Sequence, residues 1–200
     1  VVVLLDDSGS MATCWPWPQD RPPFEPPCGG PSPNLPSDPG ELRYSAARLL
    51  IELADRDDRV AVVRFDSAAE GVGALGQLTP IGSEENRRRL SSTLQAPDSY
   101  LQRGYTRIDL GLDEAIRLLD EGRQPGRSQY VLLLTDGEPS AQAGIANQTA
   151  RVREQIDALN ASGALVFPVV LCNPSAGCAG DFLREEFAAF GVREAKTAPE

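Results

Sequence analysis

The chain has 200 residues, 41% of them hydrophobic, enough for one domain over 1–200 that removes about 70% of its unfolded surface from water. It has no histidine, so imidazole mechanisms are out, and Lys196 is its one lysine. Its net charge of −10 argues against binding to nucleic acid or anionic lipid, which needs clustered cations, and suits metal cations and basic partners.

Residues 1–5 (VVVLL) read as a strand without lead-in, which suggests a domain cut from a longer protein. No segment has the charged and apolar regions of a signal peptide, and no apolar run reaches the ~18 residues of a membrane span. Residues 12–38 hold most of the prolines together with Trp15, Trp17 and Phe24. Such a stretch forms neither helix nor inner strand. It reads either as a solvated loop or as a folded lid beside the functional edge.

Leu42, Ala46, Leu49, Leu50 and Leu53 then share one helical face. Asp38 is placed to cap that helix, with Pro39 at its first position and Glu41 completing a capping box. A strand over 59–65 follows, and residues 71–78 come too soon after it for a helical crossover, so the two should pair as an antiparallel hairpin at a sheet edge. Ser83, followed by Glu84 and Glu85, caps a helix running to about Leu94. Ile108, Leu112, Ala115, Ile116 and Leu119 make the next helical face, residues 131–134 a strand, and Val152, Ile156 and Leu159 another face. A strand over 164–171 and a last face at Leu183, Phe187 and Phe190 complete the pattern. Strands that alternate with helices predict an α/β fold, a doubly wound and mostly parallel sheet with helices on both faces.

Cys14 and Cys28 bracket the proline-rich stretch, and Cys172 and Cys178 bracket a short polar loop. Neither spacing is a zinc knuckle. Adjacent pairing into two disulfides is the simplest of three connectivities and points to an exported, extracellular or cell-surface protein. Four reduced thiols in a cytosolic protein are the alternative. Asn147 and Asn160 begin glycosylation-type triplets, but both fall in or at a helix and read as coincidence.

Chemistry concentrates after the first strand. Asp6, Ser8 and Ser10 alternate through a turn loosened by Gly9, which aims several oxygens at one locus. The strand over 131–134 ends in Thr135-Asp136-Gly137, and Gly104-Tyr105-Thr106 leads into the helix near Ile108. Singly, each of these is an ordinary helix cap. Together they form an all-oxygen set with few charges, which suits a hard cation such as Mg²⁺, with Mn²⁺ or Ca²⁺ as alternatives. Asp7, Asp66, Asp109 and Glu138 are read as neighbours that tune local charge or sit solvated.

Asp-x-Ser-x-Ser after the first strand, Gly-x-Thr-x-Ile and Thr-Asp-Gly, in that order, resemble the metal-ion-dependent adhesion site of von Willebrand factor type A (vWA) domains. The segment over 57–66 (DDRVAVVRFD) is similar to that family's second strand. The resemblance implies a Rossmann-like six-stranded sheet with one antiparallel edge strand. It also implies a cation held by Asp6, Ser8, Ser10, Thr106 and Asp136, with Ser8, Ser10 and Thr106 supplying hydroxyls and the two carboxylates binding directly or through water. Two departures stand out: the insertion over 12–38 is far longer than the family's usual link, and little chain follows Phe190, enough for a short strand near 192–195 but not for the usual final helix.

The implied function is non-enzymatic: adhesion-type binding in which a partner protein's carboxylate completes the coordination of the cation. An intracellular subunit of an ATPase or metal-chelatase complex is the alternative. A phosphatase of the haloacid dehalogenase type would need an acid two residues after Asp6, where Ser8 stands.

Overall fold

A computed structural model of the chain describes residues 1–11, 38, 41–94, 105–137, 139–140, 145–172 and 180–196. The expectations about Pro39, Glu138, the bulk of the proline-rich insertion and three of the four cysteines lie outside these residues.

Val2–Asp6 forms β1, and all five of its residues are buried. It is flanked in parallel register by β2 (Arg59–Phe65) and β5 (Tyr130–Thr135), with Val3 opposite Val62 on one side and Leu132 on the other. A strand covered on both faces must be apolar throughout rather than alternating. Its side chains divide by parity between two cores. Val2 and Leu4 pack with α3 (Ile108–Glu121) and α4 (Ile145–Ser162), while Val3 and Leu5 pack with α1 (Leu42–Leu53) and α2 (Glu84–Ser92).

Beyond β5 the sheet continues in parallel through β6 (Leu165–Cys172) and β7 (Arg193–Lys196), the short last strand expected from the sequence. On the other side β3 (Ala69–Gly71) and β4 (Thr79–Pro80) both run antiparallel to β2. The order is β3-β2-β1-β5-β6-β7, with β4 also on β2. The fold class is the expected one, but among the described residues the sheet has seven strands rather than six. The chain moves outward from β1 to β2 and later returns to the far side of β1, so the order reverses between β1 and β5. Open α/β sheets bind their ligands outside the carboxyl ends of the strands at that reversal.

Three local expectations are corrected. The single strand over 71–78 is instead broken by a 3-10 turn, Gly73–Leu75, that buries Leu75. Gly73 has φ +50°, and a Cβ on Gly71 would stand 2.4 Å from the Cα of Gly76, so glycines fold this edge back on itself. The first helix begins at Leu42 with Glu41 at its N-cap in the left-handed region (φ 52°), so Asp38 is not the N-cap of a capping box. Asp38 nevertheless takes the first free amides from outside the turn, Leu42 N–H at 2.7 Å and Arg43 N–H at 3.1 Å. The last helical face is shorter than its apolar spacing suggested: α5 (Asp181–Glu186) gives way to a 3-10 turn at Ala188–Phe190, and Gly191 (φ 73°) ends it. Ser83 caps α2 as expected, its hydroxyl accepting from Asn86 N–H at 3.2 Å.

α3 lies close on β2 because Gly111 faces the Phe65 ring, where a Cβ would come within 3.0 Å. That approach helps set where the amino end of α3 meets the sheet. Gly111→Val should overpack the contact and destabilise the domain by about 1–3 kcal/mol, measurable as a lower midpoint in urea. An unchanged midpoint would show that the contact yields freely.

Candidate metal centre

The carboxyl ends of β1 and β5 lie side by side, since Leu5 pairs with Leu134. Asp6 is the last residue of β1 and Asp136 the first after β5, and the two are 0% and 6% exposed. Each apolar strand therefore delivers one carboxylate to the same edge. Neighbouring like charges out of water raise each other's cost. Burial first and the Asp136 carboxylate second push Asp6 up to about 7 from an ordinary 3.8, against the pull of hydrogen bonds from Ser8 and Thr135.

The loop after β1 is ordered around Asp6. Ser8 N–H donates to Asp6 Oδ1 at 2.9 Å, the Ser8 and Ser10 hydroxyls are 3.1 Å apart, and Met11 N–H donates to the Ser8 carbonyl at 3.1 Å. The turn over 8–11 thus directs both hydroxyls to one side while Met11 is buried in the core.

Thr106 is buried and is not the cap of α3; the N-cap is Arg107, with no side-chain capping bond. Three consecutive amides fix its segment. Tyr105 N–H donates to Ser67 Oγ at 3.0 Å, Thr106 N–H to Ser140 Oγ at 2.9 Å, and Arg107 N–H to the Asp66 carbonyl at 3.1 Å. Ser140 N–H returns a bond to the Thr106 carbonyl at 3.1 Å, which ties this loop to the one carrying Asp136. Direct contacts join Asp6, Ser8 and Ser10; Asp136 is linked to Asp6 electrostatically, and Thr106 is bonded to Ser140, which follows Asp136 by four residues in the chain.

Motif reading missed two residues here. Thr135 donates its hydroxyl to Asp6 Oδ2 and accepts from Gly137 N–H at 3.1 Å, bridging the two carboxylate-bearing strands. Its place in Thr-Asp-Gly was the available signal. Ser140 had none, because its role depends on which loop lies opposite. Two of the acidic neighbours are buried in ion pairs rather than solvated: Asp7 with Arg43, and Asp109 with Arg107 and Arg151.

Among the described residues no group of three or more His, Cys, Asp or Glu side chains could hold a metal ion. Two carboxylates with three nearby hydroxyls do suit a hard cation that keeps several waters.

A family model for the von Willebrand factor type A domain matches residues 35–176, more than two thirds of the chain. The chain belongs to the vWA family. The matched span includes Thr106 and Asp136 and leaves out Asp6, Ser8 and Ser10, which the insertion separates from it. Solved vWA-like structures extend the likeness across β1. Manganese-loaded TRAP from Plasmodium vivax has a TM-score of 0.62 at 19% identity, over 98% of this chain and 67% of that one. Proximal thread matrix protein 1 of the mussel byssus, its MIDAS motif occupied by zinc, gives 0.58 at 16%, over 98% and 43%. BatB from Bacteroides thetaiotaomicron gives 0.59 at 18%, over 98% and 90%. The chain thus spans under half of the mussel protein and about two thirds of TRAP. No curated protein matches it in sequence.

The burial of Asp6, with Asp136 beside it, sets a pH dependence. A carboxylate whose pKa rises on folding binds its proton in the folded state at pH values where the unfolded chain has lost it, so stability falls as pH rises between the two values. In chelator the melting temperature should therefore decline from about pH 4 to about pH 7 and level off above. Asp6→Asn should flatten that slope, and an equal slope in both proteins would remove Asp6 as its source.

Proposed function

We propose that this vWA domain binds one divalent cation through Asp6, Ser8, Ser10, Thr106 and Asp136 and uses it to capture a carboxylate of a partner protein. The observation that carries this reading is the buried Asp6–Asp136 pair with hydroxyls beside it. Two adjacent buried carboxylates are costly by themselves and favourable around a cation. Mg²⁺ is the expected ion, with Mn²⁺ or Ca²⁺ able to substitute; the similar TRAP structure is manganese-loaded and the mussel protein's MIDAS motif holds zinc. When bound, the cation supplies a Lewis-acidic position open to an anionic oxygen. The chain's own residues orient the donors: Thr135 and the Ser8 amide fix the Asp6 carboxylate, and Ser140 fixes the backbone of Thr106. Catalysis has no support in this residue set, which lacks histidine and places Ser8 where a general acid would be needed.

Binding to the folded state alone stabilises it by mass action, about 2.7 kcal/mol when the free cation exceeds its Kd a hundredfold. Mg²⁺ or Mn²⁺ should accordingly raise the melting temperature, and Asp6→Ala or Asp136→Ala should abolish the rise. Unaltered calorimetric metal affinity in both variants would sink the assignment.

Extracellular placement belongs to the same reading and rests on the cysteines. Cys172 is buried at the end of β6, six residues before Cys178 in sequence. Protein made under oxidising conditions should carry Cys14–Cys28 and Cys172–Cys178 bridges, the first worth about 3 kcal/mol for a loop of about fifteen residues in the chain-entropy model. Peptide mapping that recovers four free thiols from exported protein would favour an intracellular assembly subunit. Among the described residues no helix is long and apolar enough to cross a membrane.

A further inference from the structure

Asp7 lies between Asp6 and Ser8 in the chain, yet its carboxylate belongs to a different network. Successive side chains at a strand end leave on opposite faces of the sheet, so Asp6 turns toward Thr135 and Asp136 while Asp7 turns toward α1. There Arg43 Nη2 donates to Asp7 Oδ1 at 2.8 Å and the Tyr44 hydroxyl to Oδ2 at 2.9 Å, with Arg64 Nη1 4.0 Å from the same Oδ2. The Asp7 amide donates to the Phe65 carbonyl at 2.8 Å. Both carboxylate oxygens and the amide are thereby engaged, and the peptide planes that lead to Asp6 and Ser8 are fixed from the side away from the proposed ligands.

Arg43 is wholly buried, and its other terminal nitrogen donates to Asp38 Oδ2 at 2.8 Å. Its guanidinium lies 4.9 Å over the Tyr44 ring. A planar fork holds two carboxylates in fixed directions, a geometry that an ammonium with freely rotating donors does not impose. Burying a full charge this deeply exceeds what starting α1 requires, because Asp38 already takes the first two amides of that helix directly.

We propose that Arg43 and Tyr44 are positioning residues for the metal loop: acting through Asp7, they hold Asp6 and Ser8 in the orientation that ligation needs. The proposal rests on the reading of Asp6 and Ser8 as metal-site residues. The positive charge of Arg43 alone would oppose cation binding, but Asp7 and Asp38 offset it. Arg43→Lys keeps that charge and loses the fork, so a weaker site in this variant reports geometry rather than electrostatics. Tyr44→Phe removes one donor and keeps the ring.

The test uses the full chain and Mn²⁺ as the probe. Calorimetric titration should show about tenfold or greater loss of affinity in Arg43→Lys, the scale seen when outer-shell partners of metal ligands are removed, and a smaller loss in Tyr44→Phe. Ile51→Val, on the same helix and equally buried, should bind as the wild type does. Hydrogen exchange in chelator gives a readout that needs no metal. The Ser8 amide, bonded to Asp6 Oδ1, should exchange faster in both variants while the Leu133 and Val170 amides keep their protection. Should Arg43→Lys fail to fold, Tyr44→Phe alone carries the test. Wild-type affinity together with wild-type Ser8 exchange would overturn the positioning role. A wild-type protein that binds no Mn²⁺ would instead refute the ligand reading, and the proposal with it.

Discussion

The constraint on which the rest of the structure depends is the burial of two carboxylates at the ends of neighbouring strands. Asp6 and Asp136 face each other because β1 and β5 pair in parallel register, and the apolar runs that precede them are what the sheet buries. Hydrophobic burial supplies the free energy that holds two like charges in place. The threonine, serines and backbone amides around them then determine which way the oxygens point.

A second consequence follows from the alternation of side chains along β1. Consecutive aspartates serve different purposes because one faces each side of the sheet: Asp6 meets a like charge and Asp7 meets arginine. The first arrangement favours a cation that arrives from outside. The second is complete within the domain. Asp38, the last residue of the long insertion, joins this internal network, so one guanidinium ties the start of α1 to the loop that opens the candidate metal site.

The family model and the structural likeness see different parts of the chain for a physical reason. A match in sequence needs continuity, which the insertion interrupts between Ser10 and the first helix. The fold needs only that β1 occupy the slot between β2 and β5, and an insertion at the loop end of a strand leaves that slot unchanged.

The sequence alone made legible the strand–helix alternation, the placement of Asp6, Ser8, Ser10, Thr106 and Asp136 at strand and helix ends, and the cap at Ser83, because each follows from local periodicity or turn chemistry. It failed where glycines let the chain fold back, as over 71–78, and where a cap acts from outside its helix, as at Asp38. Strand pairing and loop packing, by contrast, are what make Thr135 bridge to Asp6 across 129 residues, Ser140 fasten Thr106, and Arg43 lie buried between Asp7 and Asp38. A charged or hydroxylated side chain carries no mark of its partner in the local sequence; which oxygen it meets is set by which strands pair and in what register.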